Sequence, residues 1–340
     1  MKILAYAPVD FSKPGGLETH VLEVSRRLTE RGHDVHVFGQ GLVDTKGIRV
    51  ASELRPSEYD VLHVHAPPWP ASIDPGPRSV RTLHFCVAAK MAAYVRMGRI
   101  RTLLNPANWR ARAEERSAVR RPWALIAVSG RVRSEFERYH GLEPGRARVI
   151  PNGASFAAPR VGRGAWRAKH GIPEEATVML TVGRDDFVKG YGLLSHAWDS
   201  ARRDHPNALW VQVGGSGPAR TAGKLVTGPV SRDDVVSWIH ASDFGALPSY
   251  YEGCSVALLE MLAGGLPALA NDVGNAAEVI RPGRNGDLVS PRVDAWVNAV
   301  RDCLRSPLPR PASGLPDSFR WDSITASIEG VYLDVRAAHG

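Results

Sequence analysis

Two glutamates, Glu252 and Glu260, are separated by seven residues and could act together on one ligand. Residues 244–247, before Glu252, are predicted as a buried strand. The apolar residues on both sides of Glu260 predict a helix that stops at Gly264. Glu252 is therefore predicted in the turn, with Glu260 about two helical turns further on. Such a pair can be the acid and the nucleophile of a glycosidase, or two solvated carboxylates on an ordinary α/β unit.

Gly15 and Gly16 form a second candidate site near the amino terminus, directly before a predicted helix. Two glycines let the backbone approach a ligand closely, and the helix amino terminus behind them offers N–H groups to a phosphate. A simple turn is the structural alternative. The G-x-G-x-x-G fingerprint of a nicotinamide enzyme does not occur after the first predicted strand.

The elements that must position these residues alternate between strand and helix along the whole chain, which predicts parallel sheets covered by helices. A second alternating series follows a break after residue 150 that is rich in Ala, Gly, Pro and Arg. We predict an α/β protein of two Rossmann-like, doubly wound domains with a site in the cleft between them. The predicted strands cover residues 3–7, 35–38, 61–65, 80–84, 125–128, 148–150, 178–182, 209–213, 226–227, 244–247, 268–270 and 287–289.

The run PSYYEGCSVALLEMLAGGLP, residues 248–267, resembles the E-x7-E signature of retaining glycosyltransferases of family GT4. Residues 183–190, with Arg184 and Lys189, are similar to that family's G-R-x4-K-G pattern, and Gly15-Gly16 resembles its glycine-rich loop. Gly214–Pro218 resembles the family's loop after the second strand of the second half. The resemblance covers nearly the whole chain and implies the GT-B fold. It also implies an acceptor domain at 1–155, a nucleotide-sugar domain at 165–315, and a C-terminal helix, 316–340, that packs back on the first domain.

The resemblance also implies a role for each matching residue. Glu252 is expected to bind hexose hydroxyls and Glu260 the ribose, while Arg184 and Lys189 neutralise the departing diphosphate. His84 is expected to face the transferred sugar, with His20, His63 and His65 as alternatives if the alignment is shifted. The implied catalytic residues are Glu252, His84, Arg184 and Lys189, and the implied donor-binding residues are Gly15, Gly16, Arg184, Lys189, Val230, Ser231, Glu252, Gly253, Cys254, Ser255, Val256 and Glu260.

Two features refine this expectation. The family usually has Gly-Phe-Gly where this chain has Gly253-Cys254-Ser255, so the Ser255 side chain is expected beside the donor hexose and bears on which sugar fits. No Asp-x-Asp triplet occurs, so no metal and no cofactor are predicted.

The composition indicates which kinds of binding partner and which location to expect. The 340 residues carry a net charge of +8, but only seven of the 43 basic residues are lysine, which is typical of GC-rich coding rather than of a nucleic-acid partner. Residues 90–121 hold nine basic residues against Glu114 and Glu115. A solvated helical face and a weak contact with an anionic membrane are both open there. The amino terminus lacks a signal-peptide pattern and the three cysteines are scattered, so a cytoplasmic location is expected, either free or peripheral at the inner membrane face.

The sequence thus predicts an enzyme that moves a hexosyl unit from a UDP- or GDP-sugar to a small-molecule acceptor such as a natural product or an aminocyclitol. A peripheral-membrane enzyme acting on a glycolipid or cell-wall precursor is one alternative. A sugar-nucleotide epimerase or hydrolase on the same scaffold is a second, and a non-catalytic partner of another transferase is a third.

Overall fold

The structure is a computed structural model that describes residues 1–12, 15–42, 47–70, 73–121, 123–310 and 314–339. It divides into two compact units of similar size. The first comprises residues 1–153 with 318–340, and the second comprises 154–317. Each unit has one parallel sheet with its own helices, so the predicted α/β architecture is confirmed.

The first unit contains a seven-stranded parallel sheet in the order β3-β2-β1-β4-β5-β6-β7. The strand order reverses between β1 and β4, which places a topological switch point at the carboxyl ends of these two strands. Its strands are β1 (Lys2–Asp10), β2 (Asp34–Gln40), β3 (Arg49–Val50), β4 (Val61–Val64), β5 (Ser79–Leu83), β6 (Ala124–Ala127) and β7 (Ala147–Val149), and its helices are α1 (Gly16–Glu30), α2 (Val87–Arg96), α3 (Pro106–Ala118) and α4 (Gly130–His140).

The second unit contains a six-stranded sheet in the order β10-β9-β8-β11-β12-β13, with its switch point between β8 and β11. The helices are α5 (Arg163–Lys169), α6 (Tyr191–Ala201), α7 (Arg232–Ala241), α8 (Val256–Ala263), α9 (Ala276–Val279) and α10 (Val293–Arg305). The strands are β8 (Val178–Val182), β9 (Leu209–Thr221), β10 (Lys224–Gly228), β11 (Phe244–Leu247), β12 (Ala268–Asn271) and β13 (Gly286–Val289).

The glycine-rich run Gly214–Pro218, which follows the fifth residue of β9, differs from its prediction. It was expected to be a loop, but it lies inside a strand that bends around β10. Leu225 is paired with Val211 on one side and with Arg220 on the other. The bend occurs at Gly214 (φ +104°) and Gly215 (φ +87°), in backbone conformations that side chains with a Cβ rarely adopt.

The last helix, α11 (Trp321–His339), belongs to the first unit. Its buried stripe, which includes Ile324, Ile328 and Tyr332, joins the core formed by β1, β4 and β5. Glu329 accepts hydrogen bonds from Arg31 and His33 at the end of α1, both at 2.7 Å. The side-chain hydrogen bond from His33 is the main reason that the pKa of the Glu329 carboxyl lies below its ordinary value.

Candidate functional site

The two glutamates and the two basic residues singled out in the sequence all lie in the second unit. Arg184 and Lys189 come after β8, and Glu252 comes after β11. These are the two strands at which the order of the sheet reverses, and their carboxyl ends form the crevice where open α/β sheets bind ligands. The fold therefore places three of the four charged candidates at one switch point.

Lys189 and Glu252 form the centre of this site. The Lys189 Nζ donates to Glu252 Oε1 at 2.8 Å, and the Ser249 hydroxyl donates to the same oxygen at 2.8 Å. The two charged side chains are 23% and 13% exposed, so the pair is shielded from bulk water on most sides. The result is a half-buried ammonium and carboxylate with their orientations set by each other.

Two glycines bring the segments of this pair together. Gly190 adopts φ +69°, and a Cβ there would lie 2.0 Å from the Pro248 carbonyl oxygen. Gly274 adopts φ +55°, and its Cβ would lie 2.9 Å from the Glu252 Cβ. Because neither position tolerates a side chain, the backbones after β8, β11 and β12 approach each other directly at the site.

Glu260 occupies a buried position on α8, where it is 9% exposed. Its carboxylate pairs with Arg232, in the first turn of α7. Ser255 caps α8, because its hydroxyl accepts from the Leu258 N–H, and its own N–H donates to Asn275 Oδ1 at 2.9 Å. The helix amino terminus beside Glu252 is therefore held by two polar side chains.

The remaining donor-site candidates of this unit lie on the segments that lead into or follow these pairs along the chain. Arg184 is exposed at the carboxyl end of β8. Val230 is half-buried and Ser231 is exposed, where Ser231 caps α7 by accepting from the Asp234 N–H. Gly253, Cys254 and Val256 are buried in the segment that leads from Glu252 into α8.

Sequence reasoning missed three contributors to this site. Arg232 was not recognised as the partner of Glu260, although a basic residue next to the candidates Val230 and Ser231 was a usable signal. Gly274 and Ser249 gave no signal, because their importance lies in contacts with Glu252 that the chain makes only after folding.

Gly15, Gly16 and His84 belong to the first unit. Gly15 is the half-buried, extended residue that precedes α1, and its carbonyl accepts from the Thr19 N–H at 2.9 Å. Gly16 is the exposed first residue of the helix. His84 follows β5 directly and is 8% exposed.

His84 lies in a cluster with the three histidines that were named as its alternatives. The His65 Nδ1 and the His84 Nε2 are 3.2 Å apart. The His63 and His65 rings are tilted by 37° relative to each other, with centroids 3.8 Å apart. Burial lowers the pKa of His20 to about 4 and holds the pKa values of His63, His65 and His84 well below the ordinary value. Burial therefore favours the neutral form of all four imidazoles.

Two family models match this chain. The model described as "Glycosyl transferases group 1" matches residues 162–313, and the model described as "Glycosyltransferase Family 4" matches residues 42–157. Among curated relatives, the D-inositol 3-phosphate glycosyltransferase of Acidothermus cellulolyticus is 27% identical over 95% of this chain and 86% of its own length. The enzyme of the same name from Streptomyces scabiei is 28% identical over 84% of this chain and 70% of its own length.

Solved structures share the fold over nearly the whole chain. Sucrose-phosphate synthase from Thermosynechococcus elongatus gives a TM-score of 0.78 at 18% identity and covers 99% of this chain and 100% of its own. Anabaena HepE, solved in complex with UDP and glucose, gives a TM-score of 0.74 at 17% identity and covers 97% of this chain and 98% of its own.

Proposed function

Because this chain belongs to the GT4-type glycosyltransferases, which have the GT-B fold and act on sugar donors, we propose that it is a retaining enzyme. It moves a hexosyl unit from a nucleotide-diphosphate sugar to a hydroxyl of a small acceptor. The observation that carries this proposal is the Lys189–Glu252 pair at the switch point of the second unit.

Lys189 is suited to bind the donor diphosphate while it is held by Glu252. An ammonium group carries three N–H hydrogen-bond donors, and one of them is directed to Glu252 Oε1. The other two are available to phosphate oxygens, whose negative charge grows as the sugar–phosphate bond breaks. Arg184, exposed at the end of β8, supplies a second cation of the planar type that binds phosphate through paired hydrogen bonds.

The two carboxylates accept hydrogen bonds from the sugar nucleotide in this proposal. Glu252 accepts from the hexose hydroxyls and Glu260 from the ribose hydroxyls, since a carboxylate offers about four lone-pair sites to donors. Ion pairing to Lys189 and Arg232 orients both groups. Gly15, Gly16 and His84 stay proposals within the first unit, with His84 facing the transferred sugar.

Retention of configuration is proposed to follow a front-face route, in which the leaving phosphate takes the proton of the acceptor hydroxyl. Mass spectrometry after mixing with donor tests this step. A glycosyl group covalently attached to Glu252 or Glu260 would replace the front-face route with a double displacement.

For the acceptor we propose a small cyclitol-type molecule. The support is the relative from Acidothermus cellulolyticus, a D-inositol 3-phosphate glycosyltransferase that is 27% identical over most of both chains. We propose that no divalent metal is required for transfer, because Arg184 and Lys189 supply the positive charge at the diphosphate.

A donor panel tests the proposal. UDP-, GDP-, ADP- and TDP-sugars are screened for thermal stabilisation, where a ligand at 100 times its Kd adds about 2.7 kcal/mol. The stabilising donor is then incubated with inositol phosphates and aminocyclitols, and the anomer of the product is read by NMR. Donor consumption without an acceptor would indicate an epimerase or hydrolase instead. A chain that neither binds nor consumes any donor would be a non-catalytic partner.

One observation favours the membrane alternative as a second candidate. The segment 97–112 exposes large apolar side chains between its arginines, with Ile100 64%, Leu104 79% and Trp109 45% exposed. An amphipathic, arginine-rich surface with an exposed Trp is typical of proteins that bind an anionic membrane surface. No helix in the described part of the chain has the length and apolar character needed to cross a bilayer.

Vesicle co-sedimentation tests this second candidate. We expect binding to vesicles with anionic lipid, weaker binding to neutral vesicles, and loss of binding in Ile100→Ser/Leu104→Ser. Leu333→Ser is the matched control, because Leu333 is 53% exposed on α11, outside this segment. Equal sedimentation of all three proteins would exclude the segment as a membrane contact.

A further inference from the structure

Three histidines of the first unit converge from three different elements. His20 lies on α1, His65 follows β4, and His84 follows β5. One ring nitrogen of each lies within 4.8 Å of a ring nitrogen of both others, and all three residues are buried. The centroid of the His20 ring is 5.4 Å from that of the His65 ring and 4.9 Å from that of the His84 ring.

His20 is oriented as a metal ligand is usually oriented. Its Nδ1 is 2.9 Å from Asn152 Oδ1, and because that oxygen can only accept, the proton sits on Nδ1. The Nε2 lone pair is then the free one, and within the described residues this buried atom has no hydrogen-bond partner. Ligating histidines characteristically donate their other ring N–H to an oxygen that fixes the tautomer.

His65 and His84 have the spacing of two ligands on one ion. Their facing nitrogens, His65 Nδ1 and His84 Nε2, share a hydrogen bond of 3.2 Å in the absence of an ion, and an ion replaces the proton between them when the ring that carries it changes tautomer. With zinc–nitrogen distances of about 2.0–2.1 Å and tetrahedral angles, two ligand nitrogens stand about 3.3 Å apart.

Two neighbouring buried polar groups of the first unit can be compared with this cluster. Both ring nitrogens of His63 are engaged, one with the Tyr332 hydroxyl at 2.6 Å and one with the Thr82 hydroxyl at 2.7 Å. In a second cluster, of Cys86, Glu115 and His140, the Glu115 oxygens bind the Val87 N–H at 2.8 Å and His140 Nε2 at 2.9 Å. The His63 nitrogens and the Glu115 oxygens are thus satisfied by protein groups, whereas His20 Nε2 and His140 Nδ1 have no hydrogen-bond partner among the described residues. Only the His20 cluster brings three histidine rings together.

We propose that His20, His65 and His84 bind one borderline-soft divalent cation of the Zn²⁺ type. Three neutral imidazoles with a fourth position for water form a known class of zinc site. The donor set is all nitrogen, so it selects Zn²⁺ or Co²⁺ over Mg²⁺ or Ca²⁺, which prefer oxygen. Binding withdraws His84 from substrate, so the ion inhibits sugar transfer. This consequence rests on the proposed function, whereas the binding itself does not.

The test uses the full, untagged chain and Co²⁺ as a spectroscopic probe. We expect one equivalent of Co²⁺ to produce the intense visible bands of a tetrahedral ion, and Zn²⁺ to displace it, while Mg²⁺ does not. The absence of a saturable one-to-one signal would overturn the proposed site.

Variants locate the ion. His20→Gln should lose the one-to-one signal, while His36→Gln should retain it, since His36 is bound to Tyr59 and Asp34 elsewhere in the same unit. If His20→Gln fails to fold, Asn152→Ala tests the same point through the oxygen that orients His20. We expect about 10–100-fold weaker binding for Asn152→Ala, and recovery in Asn152→Asp. Unchanged affinity in folded Asn152→Ala would overturn the assignment of His20.

Activity separates this proposal from the proposed function. Binding together with inhibition that a chelator reverses supports both. Binding without inhibition supports the site but removes His84 from the sugar. Sugar transfer in a protein that gives no metal signal overturns the metal site alone.

Discussion

Replacing Lys189 with Met tests the donor site most directly, because it removes the charge and keeps most of the side chain. The Nζ stands 2.8 Å from Glu252 Oε1, which corresponds to a gross Coulomb energy of about 6 kcal/mol at an effective dielectric constant of about 20. Water screens much of this, since the side chains are 23% and 13% exposed. Leaving the Glu252 carboxylate without its cation is expected to lower the unfolding free energy by about 1–3 kcal/mol.

The effect on catalysis is expected to be separate and larger. Removing one hydrogen-bond donor group that stabilises developing charge in the transition state typically costs about 2.7–4 kcal/mol, which is about 10²–10³-fold in kcat. Because Lys189 is assigned to the diphosphate, the KM for the acceptor should change little. The measurements are nucleotide release at saturating donor and acceptor, and denaturant unfolding followed by circular dichroism.

Lys169→Met is the matched control. Lys169 is an exposed lysine of the same unit whose Nζ lies 4.6 Å from the centre of the Trp166 ring. A surface change of this kind should leave kcat within about twofold. If Lys189→Met lowers the unfolding free energy but keeps kcat within the same limit, Lys189 only supports Glu252 and its assignment to the diphosphate is wrong.

Three further predictions follow from the same structure. Glu260→Gln should raise the KM for the donor about 10–100-fold with a smaller change in kcat, because a hydrogen bond to a charged group is worth about 1.5–3 kcal/mol; steady-state kinetics with varied donor measures this. Gly190→Ala should lower the unfolding free energy by about 2–5 kcal/mol through its left-handed backbone and the clash of its Cβ, as measured by denaturant titration. Glu329→Gln should lower Tm at pH 7, because the lowered pKa of Glu329 stabilises the folded protein. This stability is present above the ordinary glutamate pKa and is lost as the pH falls through the folded-state pKa. Tm measured against pH should therefore fall less steeply on the acid side in this variant.

Each of these has its own internal check. Unchanged donor KM in Glu260→Gln would contradict the ribose assignment. Gly192→Ala, two residues from Gly190 on α6 and with open space around its Cβ, should stabilise the helix by about 0.5–1 kcal/mol. Equal effects of the two glycine changes would contradict the argument from close approach. Parallel curves of Tm against pH for wild type and Glu329→Gln would contradict the linkage argument.

Much of the fold could be predicted from the sequence because local patterns report local structure. Strands β8 and β11 were predicted with the bounds that the structure shows, since each is a continuous buried run bounded by turn residues. The prediction of a loop at the Gly214–Pro218 run was wrong, because the bend of β9 around β10 depends on pairing with residues on both sides. Such pairing leaves no local signature.

The positions of the charged candidates along the chain also followed from sequence. Glu252 in a turn and Glu260 on a helix were expected from the spacing, and the structure places them so. Which groups they contact was not expected. Arg232 is 28 residues from Glu260 and Lys189 is 63 residues from Glu252, so neither pairing is visible in any short window.

The sequence by itself determined that this is a two-sheet α/β protein with charged residues at strand ends, because apolar periodicity and glycine positions are properties of neighbouring residues. Only the tertiary structure decided that Glu252 is held by Lys189 and Ser249, and that His20, His65 and His84 face one another. Parallel strands far apart in sequence end at the same edge of a sheet, so residues that follow different strands become neighbours only when the sheet has formed.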